Sequence, residues 1–295
     1  MINFREFIFR YFIQDDVDVL YHYTTQQSGK LILQNQSLWV TNIKYLNDTT
    51  EWTYGLDMFK AIINKGNYKS GLVKVIDELL AKFENATKDY FILSLATGKD
   101  IIPLWMNYSK LDGFCLGIEL SKFNFLLDGM TYNDKNYLIE DIFSYQSGKV
   151  IYKEETQKQI ILEALKMLND LFIEHEAIIK TEEFNLISKS ILFDFISICA
   201  LFKDAVFEYE SEFRFVIEKG TLLAIKSRST TYGNTPYIEI DFLVGGDFTT
   251  GIPITEIHIG AHNSEENITK FINKKSVYKN PIVRRSKLPL RKPSL

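Results

Sequence analysis

The side chains able to do chemistry gather in three short stretches. In LYHYTT, His22 stands between two tyrosines and is followed by Thr24 and Thr25; in YLNDTTE, Asn47, Asp48 and Glu51 crowd together; in FEYESEFR, Glu210, Glu212 and Arg214 alternate. A neutral imidazole donates at one nitrogen and accepts at the other, a carboxylate accepts at both oxygens, and a guanidinium grips an anion through two parallel bonds. An imidazole from one strand and a carboxylate from another can therefore meet across a sheet to hold a polar ligand. Each stretch also has a plainer reading. His22 suits a half-buried strand, and Asp48 with Glu51 three residues on makes a capping box for the following helix. The Glu-x-Glu-x-Arg row, read as a strand with Phe213 and Phe215 on its other face, could neutralise itself in solvent or be buried and paired, or occupied by a ligand.

The commonest templates are missing. There is no phosphate-cradling G-x-x-x-x-G-K-S/T, no dinucleotide G-x-G-x-x-G and no G-x-S-x-G elbow. His258 and His262 lie four apart in EIHIGAHN. That spacing binds a metal on a helix, but the alternation and Gly260 favour a strand and turn, so no metal is expected.

The elements that must position these residues alternate between types. VDVLYHYT and SLWVTNI read as strands flanking a helical QQSGKLILQN. Helices are expected over 50–65 and 70–88, the second capped by Ser70 and aligning Val73, Ile76, Leu80 and Phe83. YFILSLA, residues 90–96, reads as a buried strand. Pro103 opens a short helix that carries Trp105 and Tyr108, and Gly113 turns the chain into the strand FCLGIEL. Residues 156–181 and 184–202 have helical periodicity and are expected to pair as a hairpin, before strands return at EFRFVIEK, YIEIDFLV and EIHIGA. Strands at both ends and helices between them indicate an α+β fold, with a mixed sheet assembled from distant segments. The expectation is one α+β domain over 1–280, with a helical insertion near 156–202.

Length and composition set outer bounds. The 295 residues, 46% hydrophobic and 14% aromatic, suffice for a sizeable core. A net charge of -4 argues against nucleic-acid binding by the whole surface. The charge is uneven, however: from Asn273 onward there is no acidic residue and eight are basic, and residues 281–295 are expected to form a basic tail, in the plainer reading a solvated terminus and otherwise a contact for nucleic acid or an acidic protein. Two cysteines, Cys115 and Cys199 in apolar contexts, make no disulfide framework and fit a reducing, cytoplasmic setting. MINFREFIFRYFIQDD reads as an amphipathic first helix, since Arg5, Glu6 and Arg10 interrupt its apolar run. FNLISKSILFDFISICALF carries Lys189 and Asp194 and reads as a buried helix, with no membrane contact expected.

In their order, LYHYTT, SLWVTNIKYLNDTTE, PLWMNYSKLDGFCLGIEL, FKDAVFEYESEFRFVIEK and ITEIHIGA resemble the bacterial family catalogued as domain of unknown function 2971. That family carries no activity with its name. A looser resemblance, to ADP-ribosyltransferases of the histidine-tyrosine-glutamate kind, does. These have a split mixed sheet, a histidine in the first strand, a tyrosine on a helix before a central strand and a glutamate opening a late strand. His22, Tyr108 and Glu212 stand in that order here, although no glycine follows His22, a large helical insertion separates Tyr108 from Glu212, and Glu210 competes with Glu212.

The resemblance implies an ADP-ribosyltransferase-like split sheet and an enzyme that transfers ADP-ribose from NAD to a macromolecule or to water, of the sort used as intracellular toxins and antiphage effectors. Glu212 would be catalytic, stabilising the oxocarbenium charge that develops on the ribose. Tyr108 would stack on nicotinamide or, alternatively, pack beside Trp105. His22 would hydrogen-bond the adenosine ribose, with help from Thr24 and Thr25. Arg214 would bind the pyrophosphate or else neutralise Glu212. The alternative is a non-catalytic binding or regulatory module of the same fold.

Overall fold

The computed structural model describes residues 6–7, 10–12, 16–48, 50–66, 68, 70–132, 143–174, 182–231, 233–242, 251–261, 263, 265–275 and 282–288. Ten strands form one sheet: β1 Val19–Thr24, β2 Ser37–Asn42, β3 Tyr90–Ala96, β4 Phe114–Glu119, β5 Phe143–Lys149, β6 Glu212–Lys219, β7 Lys226–Thr230, β8 Gly233–Asp241, β9 Ile254–Ile259 and β10 Ile282–Arg285. The helices are α1 Gln26–Asn35, α2 Glu51–Lys65, α3 Ser70–Ala86, α4 Ile102–Asn107, α5 Leu120–Tyr132, α6 Glu154–Glu174, α7 Glu182–Ala200 and α8 Glu265–Lys275. Among the described strands the pairings are antiparallel except for β9–β10, so the sheet is mixed.

The almost unbroken apolar run of β3 suits a central strand buried on both faces. One edge of β3 pairs along its whole length with β6, from Tyr90↔Glu218 to Ala96↔Glu212. The other edge is shared. β2 takes its start, at Thr41↔Ile92 and Asn42↔Phe91, and β1 its end, at Tyr21↔Ala96. On that edge Leu93, Ser94 and Leu95 have no strand partner, and there the sheet forks. β1 leads on to β4, β9 and β10, whereas β2 leads to β8 and β7. Buried backbone groups need partners, and a forked edge leaves them to side chains or a ligand.

Two apolar layers clamp the sheet, as a two-faced apolar sheet requires. On one face Leu56, Phe59, Ile76, Phe83, Leu165 and Ile196, from α2, α3, α6 and α7, pack on Ile92 and Val216. On the other, Leu33, Phe123, Leu126, Ile268 and Ile272, from α1, α5 and α8, cover Leu20, Leu93, Leu116, Phe215 and Ile257. The expected face of α3 forms, with Ile76, Leu80 and Phe83 buried and Val73 half-buried. Helices α6 and α7 both pack on α2. Side chains of both also share one apolar cluster, and the segment that connects them lies outside the described residues.

Three expectations change. Glu210 does not share a strand with Glu212, because it ends a 3-10 turn, Ala205–Glu210, and Ser211 then takes a left-handed φ of 45° before β6 begins. The basic tail does not start at 281, since Ile282–Arg285 adds a parallel strand to β9 and Ser286 is buried beyond it. Asp48 does not cap α2 through a capping box. Its carboxylate accepts from the Thr50 backbone at 2.9 Å and hydroxyl at 2.8 Å, while the Glu51 side chain turns inward. Most of the N-terminal helix, residues 175–181, His262 and the tail beyond 288 lie outside the described residues. Among the described residues no helix is long and apolar enough to cross a membrane.

Candidate active site

The fork opens a cavity of about 650 Å³, within the size range of small-molecule sites. His22 and Thr24 of β1 line it, as do Ser94 of β3, Tyr108 after α4, Glu51 of α2, Glu210 of the 3-10 turn and Glu212 at the start of β6. Four of the five expected site residues, His22, Thr24, Tyr108 and Glu212, thus border one space. The fifth, Arg214, does not. It is fully buried behind Glu212, on the face of the sheet covered by α2, α3, α6 and α7.

The reason is a buried ion cluster. Arg214 Nε donates to Glu212 Oε1 at 2.8 Å, one terminal nitrogen donates to Glu212 Oε2 at 2.9 Å and to Glu51, and the other to the Ala200 carbonyl. Lys203 Nζ lies 2.5 Å from Glu210, 3.0 Å from Glu212 and 3.0 Å from Glu51. Burial works against the Lys203 charge, but Glu212 and Glu210 outweigh it and hold the ammonium above its usual range. Burial pushes the Glu212 carboxyl up, with Glu210 adding to the rise and Lys203 opposing it. Three carboxylates face two cations and each touches at least one of them, so with all five groups ionised the cluster on the cavity wall carries one formal negative charge in excess.

His22 meets the cavity from the opposite face of the sheet. Tyr21 pairs with Ala96 and Ala96 with Glu212, so strand alternation sends His22 and Glu212 to opposite sides. The fork brings them back together at one residue. Ser94 lies between them, its backbone acting on the His22 ring and its side chain on the Glu212 carboxyl. Burial lowers the imidazole pKa from 6.5 to about 4, so His22 is neutral near pH 7.

Local sequence explains the placement of Tyr108. Pro103 fits the first turn of α4, Ser109 donates to the Trp105 carbonyl at 2.8 Å, and Lys110 and Leu111 turn the chain with φ of 52° and 63°. Gly113 then passes so close to β1 that a Cβ there would sit 2.1 Å from the Thr24 carbonyl oxygen. Trp105 is buried edge-on against Tyr23, their centroids 5.5 Å apart. Tyr108 rests half-buried on that cluster and also faces the cavity, with burial raising its phenol pKa. Thr25 is occupied as the N-cap of α1, accepting from Ser28 at 3.2 Å.

Sequence reasoning missed Lys203, Glu51 as an ion partner, and Arg228 of β7. The only available signals were a lone lysine after the buried α7 and an arginine in the polar run KSRSTT. His258 serves elsewhere: it bonds Glu256 at 2.9 Å, and Glu256 also accepts from Tyr21 at 2.7 Å. Among the described residues no three His, Cys, Asp or Glu side chains are placed to hold a metal.

No curated protein and no solved structure matches the chain. Residues 104–215 match the model of the family described as "Protein of unknown function (DUF2971)". This stretch, over a third of the chain, carries Tyr108, Lys203, Glu210, Glu212 and Arg214, and the match supports a domain similar to that family of unknown function.

Proposed function

We propose that the cavity binds NAD and that the protein cleaves its nicotinamide–ribose bond, passing ADP-ribose to a macromolecular acceptor or to water. The observation that carries this reading is the convergence of His22, Thr24, Tyr108 and Glu212 on one cavity at the fork of the sheet. In the reaction the glycosidic bond breaks and its electron pair leaves on the nicotinamide nitrogen. The ribose becomes an oxocarbenium ion, and an acceptor oxygen closes on it as its proton passes to solvent. The formal excess of negative charge in the Glu51, Glu210 and Glu212 cluster favours the cationic nicotinamide end and, more strongly, the cationic transition state. Tyr108 offers a ring for nicotinamide, and neutral His22 and Thr24 hydrogen-bond a ribose. An activity that consumes or transfers ADP-ribose is consistent with a toxin or antiphage effector. The test is nicotinamide release from NAD: wild type releases it, and Glu212→Gln, which keeps the shape and removes the charge, does not.

A second reading has one observation in its favour, namely that both Glu212 oxygens are already held by Lys203 and Arg214. Here the cluster is an internal ion network in a non-catalytic binding module, with exposed Arg284 and Lys287 meeting nucleic acid or an acidic protein. It predicts no turnover and salt-sensitive retention on DNA or RNA that falls when both are replaced by Gln.

A further inference from the structure

We propose that Arg228 and Trp39 form a subsite for the phosphate of a nucleotide whose base lies on the Trp39 indole. The inference rests on reading the cavity as a nucleotide site and does not depend on bond cleavage. It moves the phosphate-binding role from buried Arg214 to a different arginine on the cavity wall.

Arg228 is half-buried and carries a charge that no carboxylate balances among the described residues. Glu239, which lies on the same face of β8 as the residue paired with Arg228, is taken by Lys226 at 2.5 Å and Ser37 at 2.7 Å. One terminal nitrogen of Arg228 donates to the Thr41 hydroxyl at 3.0 Å, whereas its Nε is buried with no hydrogen-bond partner. A buried donor left unmade is costly, and a guanidinium fork is shaped for a phosphate. The fork is also pre-oriented, 5.9 Å from the ring centroids of both Trp39 and Tyr237. Trp39 stacks on Tyr237 at 4.4 Å and remains 43% exposed, facing the cavity with a free aromatic surface.

The sheet keeps this positive end away from the carboxylates. Thr41, which holds Arg228, pairs with Ile92, whereas Glu212 pairs with Ala96. Four residue steps along β3 separate the two points, roughly 13 Å at about 3.3 Å per step. The cavity is therefore electropositive toward β7 and electronegative toward β6, which suits a ligand with phosphate toward one end and a cationic or cation-forming sugar toward the other.

The test is calorimetric titration of the full chain with ADP, adenosine and inorganic pyrophosphate, alongside nicotinamide release on the same preparations. Wild type should bind ADP at least tenfold more tightly than adenosine. Arg228→Gln should weaken ADP at least tenfold and leave adenosine unchanged, while Trp39→Ala should weaken both. If Arg228→Gln fails to fold, Arg228→Lys replaces it and should weaken ADP several-fold, because a single ammonium cannot reproduce the fork. Equal binding of ADP and adenosine by wild type, unchanged ADP binding in the Arg228 variant, or no binding of any probe would overturn the proposal. NAD cleavage with the same KM in Arg228→Gln and wild type removes the subsite but leaves the proposed reaction standing. ADP binding through Arg228 without nicotinamide release does the reverse.

Discussion

Arg214→Met is the sharpest perturbation of the buried cluster. The substitution keeps most of the side-chain volume and removes the partner that touches both Glu51 and Glu212 and caps the Ala200 carbonyl. Three carboxylates would then share Lys203 alone. Removing one member of a buried ion pair costs about 3–5 kcal/mol. At about 2–4 °C per kcal/mol for large domains, the melting temperature should fall by roughly 6–20 °C. The sign of the pH effect follows from Glu212, whose pKa burial already holds above its ordinary value. A carboxyl raised in the folded state carries no penalty below its unfolded pKa and the full penalty above its folded pKa. The variant's deficit should therefore be largest near pH 8 and shrink toward pH 5. Adding Glu212→Gln to Arg214→Met should recover part of the loss, since it removes one of the stranded charges. Melting curves of the four proteins at the two pH values decide the matter. A variant that melts within about 2 °C of wild type, or whose deficit grows on acidification, would show that the cluster is not held by charge compensation.

Other outcomes follow from the same geometry. Glu212→Gln alone should abolish nicotinamide release yet melt no lower than wild type, because it leaves two carboxylates facing two cations; a large drop in melting temperature would contradict the charge count. The His22 ring should stay neutral in NMR titration down to about pH 5, its pKa being held near 4, and a midpoint near 6.5 would place it in open solvent. Because a depressed folded pKa lends stability above 6.5 that is lost as pH falls toward 4, His22→Gln should flatten that part of the stability–pH curve. Gly113→Ala should lower stability by about 1–3 kcal/mol in urea unfolding, since its Cβ would meet the backbone oxygen of Thr24 and not a flexible side chain.

Much of the fold was legible because its elements have strong local signals. YFILSLA read as a buried strand and is the central β3, and Pro103 and Gly113 mark the ends of the unit that delivers Tyr108. Elements with weak patterns escaped. In FSYQSGK, which became β5, polar residues and Gly148 blur the alternation, and KSRST reads as a loop. The C-terminal IVRR looked like a solvated tail because nothing local announces its pairing with β9. At the site, His22, Thr24, Tyr108 and Glu212 were named through the looser resemblance and the order of the elements, and all four border the cavity. Glu51 shows why the rest could not. Its capping-box spacing was a complete local explanation, whereas its actual partners, Arg214 and Lys203, are more than 150 residues away. Ser211 did the same to Glu210, since one left-handed residue breaks the alternation that placed it beside Glu212.

The most direct test of the central claim is a crystal structure of Glu212→Gln grown with NAD. The dinucleotide should lie at the fork, with its nicotinamide ring on Tyr108, its adjoining ribose within hydrogen-bond distance of the residue 212 side chain and its phosphates on Arg228. A cavity that remains empty at millimolar NAD, or a dinucleotide bound away from Tyr108 and residue 212, would contradict the account.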